Sequence, residues 1–346
     1  MVDIRRKNIL IRADGNAGIG AGHLMRCLTI AEALENKAQV GFVCADRDSA
    51  ELAMSKGFDA YVWGTDYKHM EQELPLWEQL FDGNLRNRKI LVDSYYVTNV
   101  YLEGLQTYGQ VILLDDMCKR PWNVDKLINY NAFATIEMYD SLNSPYKTQY
   151  YVGGRYIPIR KEFCGKDYQP KEHAENILIT TGGGDCDNIA GQILDNIRDT
   201  SCTFHVVTGR FNPHYDELLK RSKEYGNVQV YHDVKNMAEL MARCDLAVTA
   251  GGTTTYELST LGVPFVCFSY AENQEKLTEY IGDRQIAGYG GAYHKDACGT
   301  LEGIAKQINE LKKNSALRKE YSEKERKLVD GEGAKRIARI IQDVAD

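Results

Sequence analysis

The first candidate for chemistry in this chain is a histidine carried on a glycine-rich turn. The run Ile11-Arg12-Ala13-Asp14-Gly15-Asn16-Ala17-Gly18-Ile19-Gly20-Ala21-Gly22-His23-Leu24-Met25-Arg26 overlaps the apolar segment Asn8-Ile9-Leu10-Ile11. After it, Leu24, Leu28, Ala31 and Leu34 recur at helical spacing, so the glycines join a strand to a helix. Such a junction points backbone N–H groups and the positive helix end at a bound ligand. The same field disfavours imidazolium and leaves His23 a neutral base near pH 7. A dinucleotide fingerprint would place a third glycine where His23 stands after Gly18 and Gly20, so the loop suits an anionic or sugar ligand beside an imidazole. The bland alternative is a histidine that only packs; the surrounding glycines weigh against it. Asp14 either orients His23, contacts the sugar or satisfies turn amides.

A second signal is Thr249-Ala250-Gly251-Gly252-Thr253-Thr254-Thr255-Tyr256-Glu257-Leu258, followed by Leu261-Gly262-Val263-Pro264. Strand, glycine pair and threonine-rich helix start again make an anion site. The amides of Thr253 to Thr255 are placed to hold phosphate oxygens, and Glu257, one turn on, to accept hydrogen bonds from ribose hydroxyls. Phosphate followed by ribose implies a nucleotide. Amide donors from Gly252 to Thr254 would also stabilise charge developing on a diphosphate without a metal. Taken alone, Gly251-Gly252 is equally a tight turn with Glu257 a solvated helix residue. The loop Thr181-Gly182-Gly183-Gly184-Asp185, after the strand Ile177-Leu178-Ile179-Thr180, tips the reading toward a ligand.

These signals need elements to carry them. Short apolar runs, several ending in Asp, recur at Val40–Cys44, Ala60–Trp63, Ile90–Asp93, Val111–Asp115 and Lys126–Asn129, and again at Phe204–Thr208, Val228–Tyr231, Leu246–Thr249 and Pro264–Phe268. Amphipathic stretches separate most of them, as in parallel sheets buried on both faces. The fold class is therefore α/β, with two doubly wound Rossmann-like domains facing across a cleft. Between Asn131 and Gln169 the rhythm is lost, and the segment from Tyr146 to Tyr156 reads as irregular. The expected domains are 1–168, carrying the glycine-rich loop and His23, and 169–346, carrying the nucleotide loops, with the last helix read as packing back on the first domain.

Composition sets limits. The 346 residues exceed what one core usually serves. A net charge of −7 gives no general electrostatic footprint for nucleic acid or an anionic membrane, so the expected partner is small. No apolar segment is long enough to span a bilayer and no leader precedes the first strand, which reads as cytoplasmic. The nine cysteines form no C-x-x-C pair and several sit in apolar patterns, as reduced core residues do. His69, His173, His205, His214, His232 and His294 show no metal-ligand spacing; no metal and no cofactor are expected. The oligomeric state is left open.

The opening motif, with Val92-Asp93-Ser94-Tyr95, Leu114-Asp115-Asp116, Thr181-Gly182-Gly183-Gly184-Asp185 and Ala250-Gly251-Gly252-Thr253, resembles the UDP-sugar hydrolase family of pseudaminic acid biosynthesis, whose formal substrate is UDP-2,4-diacetamido-2,4,6-trideoxy-beta-L-altropyranose. The C-terminal half is also similar to the nucleotide-binding half of GT-B glycosyltransferases, especially the N-acetylglucosaminyltransferase of peptidoglycan synthesis. The resemblance implies a GT-B-like fold and hydrolysis of a UDP-linked amino or deoxy sugar, with inversion. It makes His23 the general base and places Tyr95 and Asn273 beside the sugar as further catalytic residues. Arg12, Asp14, Gly20 and Tyr156 become sugar-binding residues. Gly182, Gly183, Gly251, Gly252, Thr253, Thr254 and Glu257 become UDP-binding residues. One departure is Gly154-Arg155, where the family more often has glycine-proline.

Three alternatives compete. A GT-B glycosyltransferase would require an acceptor, and a hydrolysing UDP-sugar 2-epimerase would release an epimerised sugar. NAD-dependent or non-catalytic nucleotide binding is motivated by Asp46, which lies after the second strand where a ribose-binding acid would stand.

Overall fold

In a computed structural model of the chain, residues 4–344 are described apart from 17, 35, 37–38, 82–87, 167, 183 and 210–211. The apolar runs become strands: β1 (Ile9–Ala13), β2 (Val40–Cys44), β3 (Asp59–Val62), β4 (Arg88–Asp93), β5 (Gly109–Leu114), β6 (Lys126–Asn129) and β7 (Gln149–Val152). These pair in parallel in the order β3-β2-β1-β4-β5-β6-β7, with Ile9 of β1 facing Val40 of β2 and Lys89 of β4. A second sheet contains β8 (Asn176–Thr180), β9 (Thr203–Thr208), β10 (Val228–His232), β11 (Leu246–Ala250), β12 (Phe265–Ser269) and β13 (Gly288–Ala292). Its order is β10-β9-β8-β11-β12-β13, again parallel. The central strands are buried along their whole length, which is why they read as unbroken apolar runs rather than alternating ones.

Two strands lie where the sequence predicts none. β7 is a half-exposed edge strand of the irregular-looking tyrosine segment, so it carries no continuous apolar signal. β13, Gly288-Tyr289-Gly290-Gly291-Ala292, has almost no side chains to pattern; the helix Ala297–Lys313 presses directly on its backbone.

The chain divides into two compact units, Met1–Pro158 with Glu332–Asp346, and Ile159–Gly331. The sequence-based boundary at 168/169 falls later because the connecting segment is tied to the second unit. Phe163 is buried, Arg160 pairs with Glu257, and the Tyr168 hydroxyl donates to the Asp245 carbonyl. The helix Gly333–Gln342 buries Ala334, Ile337, Ala338, Ile340 and Ile341 within the first unit, and Lys126 Nζ donates to the Ile340 carbonyl at 2.6 Å. Asp343 then pairs with Lys89 and Lys126, fastening the end of that helix. Each unit has its own core, one built around Leu10, Val92, Trp77 and Tyr101, the other around Ile179, Val248, Phe204 and Phe268.

Candidate functional site

In the first sheet the strand order reverses between β1 and β4, and in open parallel sheets ligands bind outside the carboxyl ends at such a reversal. His23 lies on the helix Gly22–Ala33 that follows β1, and Tyr95 lies just past β4. The two rings meet edge to face, centroids 4.3 Å apart and planes at 79°. The helix begins at Ala21 without a side-chain cap, so its first amides are not screened by a capping oxygen. Gly20 sits at φ +72°, with open space where a side chain would stand. Asn16 shapes the loop: its Oδ1 accepts from the Gly18 and Ile19 amides at 2.9 and 3.2 Å, and its Nδ2 donates to Asp46 at 2.7 Å.

His23 is only 7% exposed and its Nδ1 lies 3.9 Å from Asp93 Oδ1. Burial pushes the imidazole below the ordinary histidine range; Asp93 opposes the shift, Arg26 adds to it, and Asp116 and Asp14 also oppose it. The neutral base expected from the helix end is thus set mainly by desolvation.

Several expectations for the first unit need correction. Arg12 has no exposed surface; its Nε and Nη2 hold Glu73 at 2.8 and 2.5 Å and its Nη1 holds Asp14 at 2.5 Å. Glu73 also accepts from the Tyr101 hydroxyl at 2.7 Å, so Arg12 is spent inside the fold and does not face a sugar. Asp14 joins Arg12 to the Ala45 amide, tying the ends of β1 and β2 together, and makes no hydrogen bond to His23. The acid nearest the imidazole is Asp93. Tyr156 is buried past β7, four places from β1 in the sheet, edge-on to Tyr151, and is not among the residues gathered around His23. Asp46, the residue behind the NAD alternative, caps the helix Arg47–Ser55 through the Ser49 amide and holds Asn16 with its other oxygen. Both oxygens are engaged by the fold rather than held for a ribose.

In the second sheet the order reverses between β8 and β11, and the two predicted nucleotide loops follow these two strands. They are not equivalent. Behind Gly182, exposed and at φ +92°, the helix Ile189–Ile197 starts with its first amides taken: Asp185 accepts from Ile189 and Ala190 at 2.6 and 3.0 Å. A buried carboxylate already occupies those helix-start donors. Gly183 lies outside the described residues. The helix Thr253–Leu261 is the open one: its cap residue Gly252 is extended and offers no side-chain bond. Thr253 and Thr254 are half-buried, whereas the Thr255 amide already donates to the Gly252 carbonyl at 3.1 Å, so of the three amides expected to hold phosphate the turn engages the third. At Gly251 a Cβ would stand 2.5 Å from Thr278 Cγ2, because the helix Glu272–Asp283 crosses there; at Gly252 nothing lies within 4 Å.

Glu257 is buried on the face of this helix, where burial raises its pKa and Arg160 pulls it back. Asn273 is exposed in the first turn of the helix Glu272–Asp283, which follows β12. The three residues expected beside the sugar are therefore divided, His23 and Tyr95 in the first unit and Asn273 in the second.

Residue reading alone missed Asp93, Arg26, Asp116 and Tyr130 around His23, and Arg160 beside Glu257. A signal existed for the acids: β4 and β5 both run into aspartate, at Asp93 and at Asp115-Asp116. For Arg26 it was a charged residue among the buried positions of an apolar helix.

Residues 176–341 match the Glycosyltransferase family 28 C-terminal domain. The UDP-2,4-diacetamido-2,4,6-trideoxy-beta-L-altropyranose hydrolase of Campylobacter jejuni is 26% identical over 80% of this chain and 96% of its own length. The spore coat polysaccharide biosynthesis protein SpsG of Bacillus subtilis is 25% identical over 96% of this chain and 97% of its own. Among solved structures, Acinetobacter baumannii MurG superposes with a TM-score of 0.64 at 16% identity, covering 98% of this chain and 100% of the other. The two parallel sheets of seven and six strands fit the GT-B glycosyltransferases among these structural neighbours. The chain thus has the GT-B fold, carries a family 28 C-terminal match over 176–341, and is similar over most of its length to the UDP-sugar hydrolases of pseudaminic acid biosynthesis.

Proposed function

We propose that this protein hydrolyses a UDP-linked amino or deoxy sugar to UDP and free sugar, in nonulosonic acid or surface polysaccharide biosynthesis. The observation that carries the reading is His23: a buried imidazole held below its ordinary pKa, at the strand-order reversal of the first sheet, on a helix start that no side chain caps. Its Nδ1 is turned to Asp93, which leaves Nε2 to take a proton from water. The water oxygen forms a bond to the anomeric carbon as the bond from that carbon to the diphosphate oxygen breaks, with inversion. The electron pair leaves on UDP, and Thr253 and Thr254 amides of the second unit receive the diphosphate charge. Glu257 takes the ribose hydroxyls through the oxygen that Arg160 leaves open. UDP is a good leaving group, so this scheme calls for no separate acid. The hydrolase name of the Campylobacter jejuni relative supports the reaction class.

The family 28 match favours a second reading, transfer of the sugar to an acceptor. A panel of UDP-sugars incubated with the protein and no acceptor separates the two. Hydrolysis releases UDP and free sugar, identified by mass spectrometry; turnover that appears only when an acceptor is supplied rejects the hydrolase.

A further inference from the structure

Arg26 gathers side chains from the ends of three strands. Its Nε and Nη2 each donate to one oxygen of Asp93 at 2.5 Å, at the end of β4. Its Nη1 donates to Asp116 at 2.8 Å, past β5, and to the Tyr130 hydroxyl at 2.5 Å, past β6. Asp116 Oδ2 in turn accepts from the Tyr95 hydroxyl at 3.1 Å. The same arginine therefore fixes the carboxylate facing His23 and, through Asp116, the phenol whose ring meets the His23 ring.

We infer that Arg26 is the positioning residue of the first unit's site, setting by one planar fork both the acid that faces the His23 imidazole and the aromatic edge that packs against it. The inference rests on the reading of His23 as the base. A buried network of one arginine and two aspartates is poor value for stability alone, because desolvating the three charges offsets most of their attraction. Such networks are found where reacting groups must be held to a fraction of an ångström. The charges also suit the chemistry. Asp93 at the end of β4, Asp116 past β5 and Asp14 past β1 each favour the protonated ring electrostatically and Arg26 opposes it. On the helix Gly333–Gln342, which packs against the same helix, Lys335 turns to Glu332 and Arg336 to the Arg155 carbonyl. Asp14 is itself paired with Arg12, so Asp93 and Asp116 against the one guanidinium of Arg26 leave a net negative surround, which stabilises an imidazolium once the proton has been taken.

The test uses the full chain. Arg26→Lys keeps the charge and removes the fork; kcat is expected to fall about tenfold or more while the Kd for UDP stays as in the wild type. In protein carrying isotope-labelled histidine, the His23 resonance, assigned by its loss in His23→Gln, is expected to move its titration midpoint in Arg26→Lys by about half a pH unit or more. A folded Arg26→Lys protein whose His23 titration superimposes on the wild type overturns the proposal, since an arginine that only fastens strand ends would leave the imidazole as it was. If Arg26→Lys does not fold, Asp116→Asn replaces it: removing the anion lowers the His23 midpoint by a similar amount, and an unmoved midpoint overturns the proposal equally. Turnover in His23→Gln reads the base assignment separately, because its survival rejects the imidazole as base while the titrations in the other variants still decide what Arg26 does.

Discussion

Arg160 holds a single oxygen of Glu257, Oε1, by a hydrogen bond from Nε at 2.9 Å and an ion pair from Nη2 at 2.8 Å, and among the described residues Oε2 has no hydrogen-bond partner. The arginine thus opposes the rise that burial imposes on the Glu257 pKa while engaging only one of its two oxygens. In its charged form the carboxylate accepts hydrogen bonds from a diol strongly, since charge-assisted bonds are worth about twice neutral ones.

Glu257→Ala is expected to weaken UDP binding by about tenfold or more, the loss of one to two charge-assisted hydrogen bonds. Calorimetry with UDP measures it, and an unaltered Kd would remove the ribose assignment.

The two glycines before Thr253 should respond differently. Gly251→Ala drives a Cβ to 2.5 Å from Thr278 Cγ2 and 3.3 Å from the Gln274 carbonyl, so it lowers Tm as overpacking does, by about 1–3 kcal/mol of stability. Gly252→Ala meets nothing and its extended backbone suits any residue, so Tm should hold. Its methyl group instead occupies the approach to the Thr253 and Thr254 amides and should weaken UDP binding. Thermal melts beside calorimetry separate the outcomes; normal UDP affinity in Gly252→Ala would place the diphosphate elsewhere.

His23→Ala is expected to leave UDP affinity nearly unchanged and reduce turnover by about a hundredfold or more, the usual loss with a general base. If affinity and turnover fell together, the histidine would be a ligand-positioning group.

The pH dependence has a definite sign. The neutral imidazole is the active form, so turnover is present above the folded-state value and is lost as pH falls through it. Because burial holds that value below the ordinary 6.5, the acidic limb of kcat/KM should lie below pH 6.5. A limb at or above that pH contradicts a desolvated His23 as the base.

Asp185→Ala exposes the amides of Ile189 and Ala190 and removes the Thr181 hydrogen bond. A loss of about 1 kcal/mol of stability, as for other helix caps, is expected in a denaturant titration. UDP affinity should persist if the diphosphate sits on the Thr253 helix, and should rise or fall sharply only if the Gly182 loop holds it instead.

Much of this was legible before any coordinates. The apolar runs located the central strands because strands covered on both faces must be apolar throughout, and the glycine-rich turns lie at the strand-to-helix junctions where the sequence placed them. The edge strand β7 and the glycine-rich β13 were silent for the same physical reason, since an exposed or side-chain-free strand has no burial pattern to display.

The sequence by itself determined the α/β class, the two doubly wound halves, the glycine turn that carries His23 and the open start of the Thr253 helix, all of them consequences of neighbours within a few positions. Tertiary structure alone decided that Arg12 is buried on Glu73 while Arg26 reaches Asp93, Asp116 and Tyr130, partners 67, 90 and 104 positions away. It also decided that Asp185 closes one helix start in the second sheet and Gly252 leaves the other open, and that the last helix returns to the first unit. Local periodicity fixes which face of an element is apolar, but the order in which parallel strands pair is chosen by the packing of the whole layer, and it is that order that sets which strand ends, and so which side chains, come together.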